Sequence, residues 1–466
     1  MVERLSALDA SYLYMEEPTT PMHTGGVAVF QSPPPGTKGA FDIDQLVRLV
    51  HDRIALVPRY RQKVRWVPGH LAAPVWVDDE AFDVSYHVRR SALPRPGGDQ
   101  QLHELVARLL SRPLDRQRPL WEVYLVEGLS DRRFAVITKS HQALVDGVVA
   151  LDLGQVMLDT EAEAVDEPSS DAEWYPQHEP SSLDLLVGAV GEIVQRPTAV
   201  VDFVRYGVGD VRRAAERVGS TAGGFFRMAR TVARTAPTSP LNTEIGEARR
   251  FATASAELDR FRRVRAAHGG TVNDVVLAVI AGALRSWLQM RGEPINGRTS
   301  VRAMVPVSVS TPDDSGSSVV SYFVDLPVGE GSPVVRLHQA SYAMRAHQET
   351  GTAVGARSLA GVAGFGPPTL HAMGARAASG LSRRMFNLVV TNVPGPQVPL
   401  FLGGARMLEA YPVVPLAKGQ ALTIGVTSYD GTVFFGLYGD REAMSDLEVL
   451  AESLLDALDE LDPAAG

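Results

Sequence analysis

The spacing of apolar residues changes period along this chain, and each change marks an element. Met22 to Phe30, Trp121 to Glu127 and Phe134 to Lys139 are dense in Val, Ile and aromatic residues over strand-like lengths, so they are predicted strands. Phe41 to Ile54 and Gln101 to Leu110 place apolar residues three and four apart, the spacing of helices with one buried face. Val148 to Leu158 reads as a further helix. Beyond residue 240 the same alternation returns. Phe251 to Leu258, Val301 to Val307, Val319 to Leu326, Asn387 to Thr391, Ala421 to Tyr429 and Thr432 to Leu437 are predicted strands. Leu258 to His268 and the largely apolar Thr271 to Met290 are predicted helices. The expected organisation is two α/β lobes, residues 1–158 and 240–466, each a mixed sheet flanked by helices.

The segment between the lobes, 159–239, has a different character. Asp159 to Asp184 holds nine acidic residues and no Lys or Arg, with Ser and Pro interspersed, and is expected to be a solvated linker. From Leu185 apolar residues recur at helical spacing, and Arg196 to Arg234 carries eight arginines against three acids. That stretch reads as a basic amphipathic helical region, suited either to the headgroup layer of a membrane or to packing across both lobes.

Composition narrows the chemistry. The 466 residues include no cysteine, which excludes disulfides, Cys-ligated zinc, iron–sulfur clusters and a Cys nucleophile. A net charge of −9 argues against general nucleic-acid binding. Met1 to Glu17 lacks the charged-then-apolar pattern of a signal peptide, and no stretch of about 18 uncharged apolar residues occurs. A cytoplasmic chain is expected. No histidine or carboxylate cluster has metal-ligand spacing and there is no glycine-rich phosphate loop, so neither a metal nor a redox cofactor is expected.

The most informative segment is Lys139-Ser-His-Gln-Ala-Leu-Val-Asp-Gly147, at a strand-to-helix turn. His141 has an unperturbed pKa near working pH and could be a general base or a structural histidine. Asp146 could orient the turn through its backbone or pair with an arginine, and Gly147 lets the chain turn sharply after it. Lys139, two residues before His141 on the same strand face, could meet a phosphate or an acid of the fold. Asn273 is either a polar contact at a helix N-terminus or simply an N-cap. His23 and His87, in apolar surroundings, read as structural.

HQALVDG closely resembles the HHxxxDG motif of the CoA-dependent acyltransferase superfamily. Further segments resemble one branch of it: Leu5-Ser-Ala-Leu-Asp-Ala10 with Pro21-Met-His23, Pro113-Leu-Asp-Arg116 with Arg118-Pro-Leu-Trp121, Asn273-Asp-Val-Val276, and Asn392-Val-Pro-Gly-Pro396. Together, and in this order, they resemble the bacterial wax ester synthase/diacylglycerol acyltransferase family from about residue 5 to 440. The resemblance implies two acyltransferase lobes with a tunnel between them. It also implies transfer of an acyl group from acyl-CoA, as substrate, to diacylglycerol or a long-chain alcohol at a membrane or lipid-droplet surface. His141 matches the motif's first, supporting histidine. Asp146 matches a structural aspartate commonly paired with arginine. Asn273 and Asn392 are implied near the substrates, the latter in a turn that shapes the lobe interface. The family's usual general base is the second histidine, and that position here is Gln142, whose amide takes no proton near neutral pH. Three readings follow: a slower enzyme using His141 or water, a relative that binds lipid or acyl-CoA without turning it over, or a glutamine introduced in place of the histidine.

Overall fold

The early and late halves of the chain each build one large sheet, and two late strands, Phe401–Leu402 and Ala405–Val413, cross from the second lobe into the first. The computed structural model describes residues 3–32, 41–70, 72–145, 153–162, 174–187, 235–310, 317–350, 354–355 and 384–464. In chain order the elements that position the site are α1 (Ala7–Met15), β1 (His23–Gln31), α2 (Asp99–Ser111), β2 (Trp121–Leu129), β3 (Arg133–His141), β4 (Arg249–Glu257), α3 (Val272–Met290), β5 (Val301–Ser310), β6 (Leu388–Pro394), β7 (Ala405–Val413), β8 (Leu422–Tyr429), β9 (Thr432–Asp440) and α4 (Leu447–Asp459). The first sheet runs Phe401–Leu402, β7, β1, β3, β2, Val88–Ala92. The second runs Val354–Gly355, Ser317–Leu326, β5, β6, β8, β9, β4. In each, parallel and antiparallel pairs mix, as the sequence pattern leads one to expect.

Local sequence explains the main elements. In α2, Leu102, Leu105, Val106, Leu109 and Leu110 fall on one stripe and are buried. Helix α3 is apolar on nearly all sides because it is covered by its own sheet, by α4 and by the helix Pro333–Thr350. It begins at Val272, one residue after the predicted start, with Thr271 as N-cap and Asp274 completing a capping box.

Strand β7 was not legible as a strand of the first lobe. Its sequence lies beyond residue 240, carries Pro412 and does not alternate cleanly. Proline is tolerated because β7 hydrogen-bonds β1 on one side, while the short strand Phe401–Leu402 reaches only its first residues on the other. Helices α1, α4 and Pro333–Thr350, and a small sheet of Glu3–Arg4, Val75–Asp78 and Gln62–Arg65, also went unpredicted. The acidic linker is not wholly solvated. At its described end Trp174 lies edge-on to Phe82 and under Arg61, and Glu179 pairs with Lys63 and Arg65. Asp146, Gly147 and the region from Arg196 to Arg234 lie outside the described residues.

Strand β7 also clamps the lobes together. Gly425 of β8 and Gly436 of β9 are register partners, and Pro412 packs over this pair. A Cβ at Gly436 would lie 2.0 Å from the Pro412 carbonyl oxygen. Gly436→Ala should therefore lower stability by about 1–3 kcal/mol, the usual cost of overpacking a tight core. Gly297→Ala, where a Cβ meets nothing within 4 Å, should stay within about 0.5 kcal/mol of the parent. Thermal melts of the two variants side by side check this, and equal melting temperatures would remove the clamp from the account.

Candidate active site

Strands β1 and β3 pair antiparallel with His23 opposite His141, so both side chains leave the same face of the sheet. Their rings meet edge-on, 5.9 Å apart. Both are buried. Helix α1, capped at its start by Ser6, ends at Glu16, whose carboxylate reaches both rings. Glu16 Oε1 lies 3.2 Å from His23 Nε2, and Oε2 lies 3.6 Å from His141 Nε2. Neither contact is aligned as a hydrogen bond, so both ring nitrogens sit beside the charge without closing on it. Arg116 completes the group. Its Nε donates to Glu16 Oε2 at 3.0 Å, and its Nη2 donates to the Leu13 carbonyl.

The backbone of the motif is held separately. His141 Nδ1 accepts from the Ala143 N–H at 3.0 Å, which places the proton of the neutral ring on Nε2, facing Glu16. The Gln142 N–H donates to the Met22 carbonyl at 2.9 Å. His141 therefore has no lone pair left for a substrate hydroxyl while these bonds persist. That geometry fits a supporting residue. Gln142 starts a short helix and is half-buried.

Charge in this group is unevenly distributed. Burial opposes ionisation of Glu16, but His141, His23 and Arg116 outweigh it and hold the carboxyl well below its usual range. Burial pushes the His23 imidazole down to about 4; Glu16 works against that shift and Lys139 with it. Near neutral pH the group is thus an ionised carboxylate beside a neutral His23.

Of the two partners open to Lys139, a phosphate or a group of the fold, the structure shows groups of the fold. Its ammonium is buried, donates to the carbonyls of Leu109 and Arg112 at the end of α2, and lies 3.5 Å from Glu122. Burial pulls it down to about 8 while Glu122 holds it up.

Asn273 and Asn392 meet each other: the Asn392 side-chain amide donates to Asn273 Oδ1 at 3.0 Å. Asn273 is not the N-cap, which is Thr271. The Asn392–Pro396 segment packs on its own lobe, with the Val393 carbonyl accepting from Thr427 and no room for a Cβ at Gly395 beside the Ser428 carbonyl. Among the described residues no hydrogen bond joins this asparagine pair to the His141 group. The His141 group nevertheless borders the second lobe. Glu17 pairs with Lys418, the Thr19 carbonyl accepts from Arg249, and Thr24 reaches the Val413 carbonyl.

Sequence reasoning missed Glu16 and Arg116 as site residues. Both lie in or beside quoted motif segments: Glu16 ends the helix opened by Leu5–Ala10, and Arg116 closes Pro113–Arg116. Their meeting across a hundred residues of chain is what a linear reading lacks.

The charge arrangement sets a pH dependence. A free histidine takes its proton near 6.5, whereas folded His23 takes it only near 4. Between those values the unfolded state binds more protons, so stability falls as pH drops from about 6.5 to 4, by about 3 kcal/mol from this residue. Glu16 adds a loss only below the ordinary carboxylate range, as pH falls toward its depressed folded value. His23→Gln should flatten melting temperature against pH between 6.5 and 5 and leave the more acidic loss in place. An unchanged slope in that window would place the titration elsewhere.

Comparison with known proteins identifies the family. The family model of the wax ester synthase/diacylglycerol acyltransferase catalytic domain matches residues 5–276, and that of the family's C-terminal domain matches 315–462. A Mycobacterium tuberculosis protein named as a probable diacylglycerol O-acyltransferase (tgs3) is 47% identical over 267 residues, 57% of this chain and 96% of its own length. A second (tgs2) is 34% identical over 467 residues, 98% of each chain. The solved wax ester synthase/diacylglycerol acyltransferase from Marinobacter aquaeolei VT8 superposes with a TM-score of 0.70 at 30% identity, covering 100% of both chains. The first condensation domain of the calcium-dependent antibiotic synthetase, at 16% identity and a TM-score of 0.58, shares the two-lobed fold. This chain belongs to the wax ester synthase/diacylglycerol acyltransferase family.

Proposed function

We propose that the chain transfers the acyl group of an acyl-CoA to the hydroxyl of a lipid alcohol, diacylglycerol or a long-chain alcohol, giving triacylglycerol or wax ester. Family membership over both lobes supports the reaction class. The observation that carries the mechanism is the buried Glu16–His141 contact next to Gln142. The alternative of a non-catalytic lipid binder is not favoured, because relatives that match over nearly the whole chain are named as acyltransferases.

In this reading the alcohol oxygen attacks the thioester carbonyl, a C–O bond forms, the C–S bond breaks, and the hydroxyl proton ends on the departing CoA sulfur. The thioester is already activated, so no metal or redox cofactor is required. His141, fixed by Glu16 and the Ala143 N–H, supports the motif. Gln142 stands where a base would act and can hold a hydroxyl or a carbonyl but cannot take its proton. The Asn273–Asn392 pair is the polar contact on the side of the second lobe. Positioning and charge stabilisation remain, without the base.

The site of action in this reading is the cytoplasmic surface of a membrane or lipid droplet, since the acceptors are nearly insoluble in water. Among the described residues no single helix is long and apolar enough to cross a membrane. Docking through Arg196 to Arg234 predicts that binding to anionic vesicles weakens with salt, and weakens further when Arg212, Arg213 and Arg217 are reversed to Glu together. Sedimentation with phosphatidylglycerol vesicles tests this, and binding indifferent to both changes would assign the region to internal packing.

Gln142→His returns a proton acceptor to the position. The gain should be about 10²–10⁴-fold, the size a general base contributes, and should appear mainly in kcat. Activity of the variant should rise with pH through about 6 to 7. Thiol release from palmitoyl-CoA with diacylglycerol, measured for parent and variant, checks it. No gain over an active parent, together with full loss in His141→Ala, would make His141 the base after all.

A further inference from the structure

We infer that the cleft between α2 and the start of β4 seats the phosphate end of CoA, an inference that rests on the reading of the chain as an acyl-CoA-dependent transferase. The cleft has a volume of about 520 Å³, within the range of small-molecule sites. Leu93, Pro94, Glu104 and Arg108 line it from the first lobe, and Arg249 and Arg441 from the second. Three arginines and one glutamate thus line it across a lobe boundary.

The three arginines differ in how they are held. Arg249 is buried, donates to the carbonyls of Gly246, Ala248 and Thr19, and lies 3.7 Å from the buried Asp440 carboxylate, so it is fixed and its charge is paired, which leaves Arg108 and Arg441 to meet an anion. Arg108 and Arg441 are exposed, and among the described residues neither guanidinium has a hydrogen-bond or ion-pair partner. Like charges gathered in a cleft focus a field that favours an anion. The planar guanidinium fork matches phosphate oxygens two at a time. A neutral diacylglycerol or long-chain alcohol offers nothing for this cluster to bind, whereas CoA carries several phosphate charges at the end remote from its thioester.

The position suits that donor. Thr19, which Arg249 holds, lies three residues beyond Glu16. The far end of α2, whose face carries Arg108, is held by Lys139, two residues before His141. Two hydrogen-bonded links, Arg249 to Thr19 and Lys139 to the end of α2, thus run from the cleft lining toward the segments that carry the His141 group.

The test uses the Arg108→Ala/Arg441→Ala double variant of the full chain. Both positions are exposed, and an unchanged melting temperature would verify the fold. Palmitoyl-N-acetylcysteamine, a thioester without the nucleotide phosphates, serves as the second donor. The ratio of kcat/KM for palmitoyl-CoA to that for palmitoyl-N-acetylcysteamine should fall about 10- to 100-fold, about tenfold for each arginine–phosphate pair removed. Calorimetric binding of CoA should weaken by a similar factor. Unchanged CoA binding and an unchanged ratio would overturn the cleft assignment and leave the transferase reading standing. Equal losses with both donors would overturn it too, since the arginines would then act on the fold or the chemistry. Arginine-dependent binding of phosphatidylglycerol vesicles without any effect on CoA would assign the cleft to a lipid headgroup instead. A parent that binds CoA through these arginines but turns over neither thioester would support the cleft and sink the transferase reading.

Discussion

A buried carboxylate constrains this site more than any other single group. Taking Glu16 out of water costs several kcal/mol unless opposite charge and polar groups come with it. Here that company is Arg116 from the loop before β2, His23 from the first residue of β1 and His141 from the last residue of β3. The requirement fixes four things together: where α1 stops, how the Pro113–Trp121 loop turns, the register of β1 on β3, and the ring tautomer of His141. Removing Arg116 would leave the Glu16 carboxylate without its cation, so the N-terminal, loop and histidine segments are interdependent pieces of one structure.

Much of this was visible in the linear pattern, and the remainder has identifiable reasons for being hidden. Strands such as Trp121–Leu129 and Thr432–Asp440 are buried on both faces and dense in β-branched and aromatic residues, which is a local signal. The assignment of β7 to the first sheet depends on which strand accepts its hydrogen bonds, and nothing local to Ala405–Val413 encodes that. Glu16 reads as one acid among several near the start of the chain. Lys139 was open between two roles because both need a cation on the His141 face, and only the position of the α2 carbonyls decides between them. The Asn273–Asn392 contact joins two segments whose motifs were each legible, but whose pairing required the sheet order that lays β6 beside α3.

The lobes are coupled by packing as well as by polar links. Pro412 on the glycine pair ties β7 to the second sheet while β7 hydrogen-bonds the first. Lys418 and Arg249 reach from the second lobe to Glu17 and Thr19, the turn just after Glu16. A displacement between the lobes would therefore be felt first at the segment carrying the buried carboxylate, which couples cleft geometry to the His141 group.

The bonds around position 142 explain how a glutamine can stand in for a base without disturbing this scaffold. The Gln142 backbone N–H is bonded to the Met22 carbonyl, and the preceding ring is pinned by the Ala143 N–H on one nitrogen and faces Glu16 with the other. None of these contacts uses the side chain at 142. The residue there can change between proton acceptor and neutral amide while the carboxylate, both histidine rings and the strand register keep their partners. Fold and proton chemistry are thus separable at one position. In the proposed reaction the cluster at Glu16 holds the scaffold of the motif, and the side chain at 142 bears on proton transfer alone.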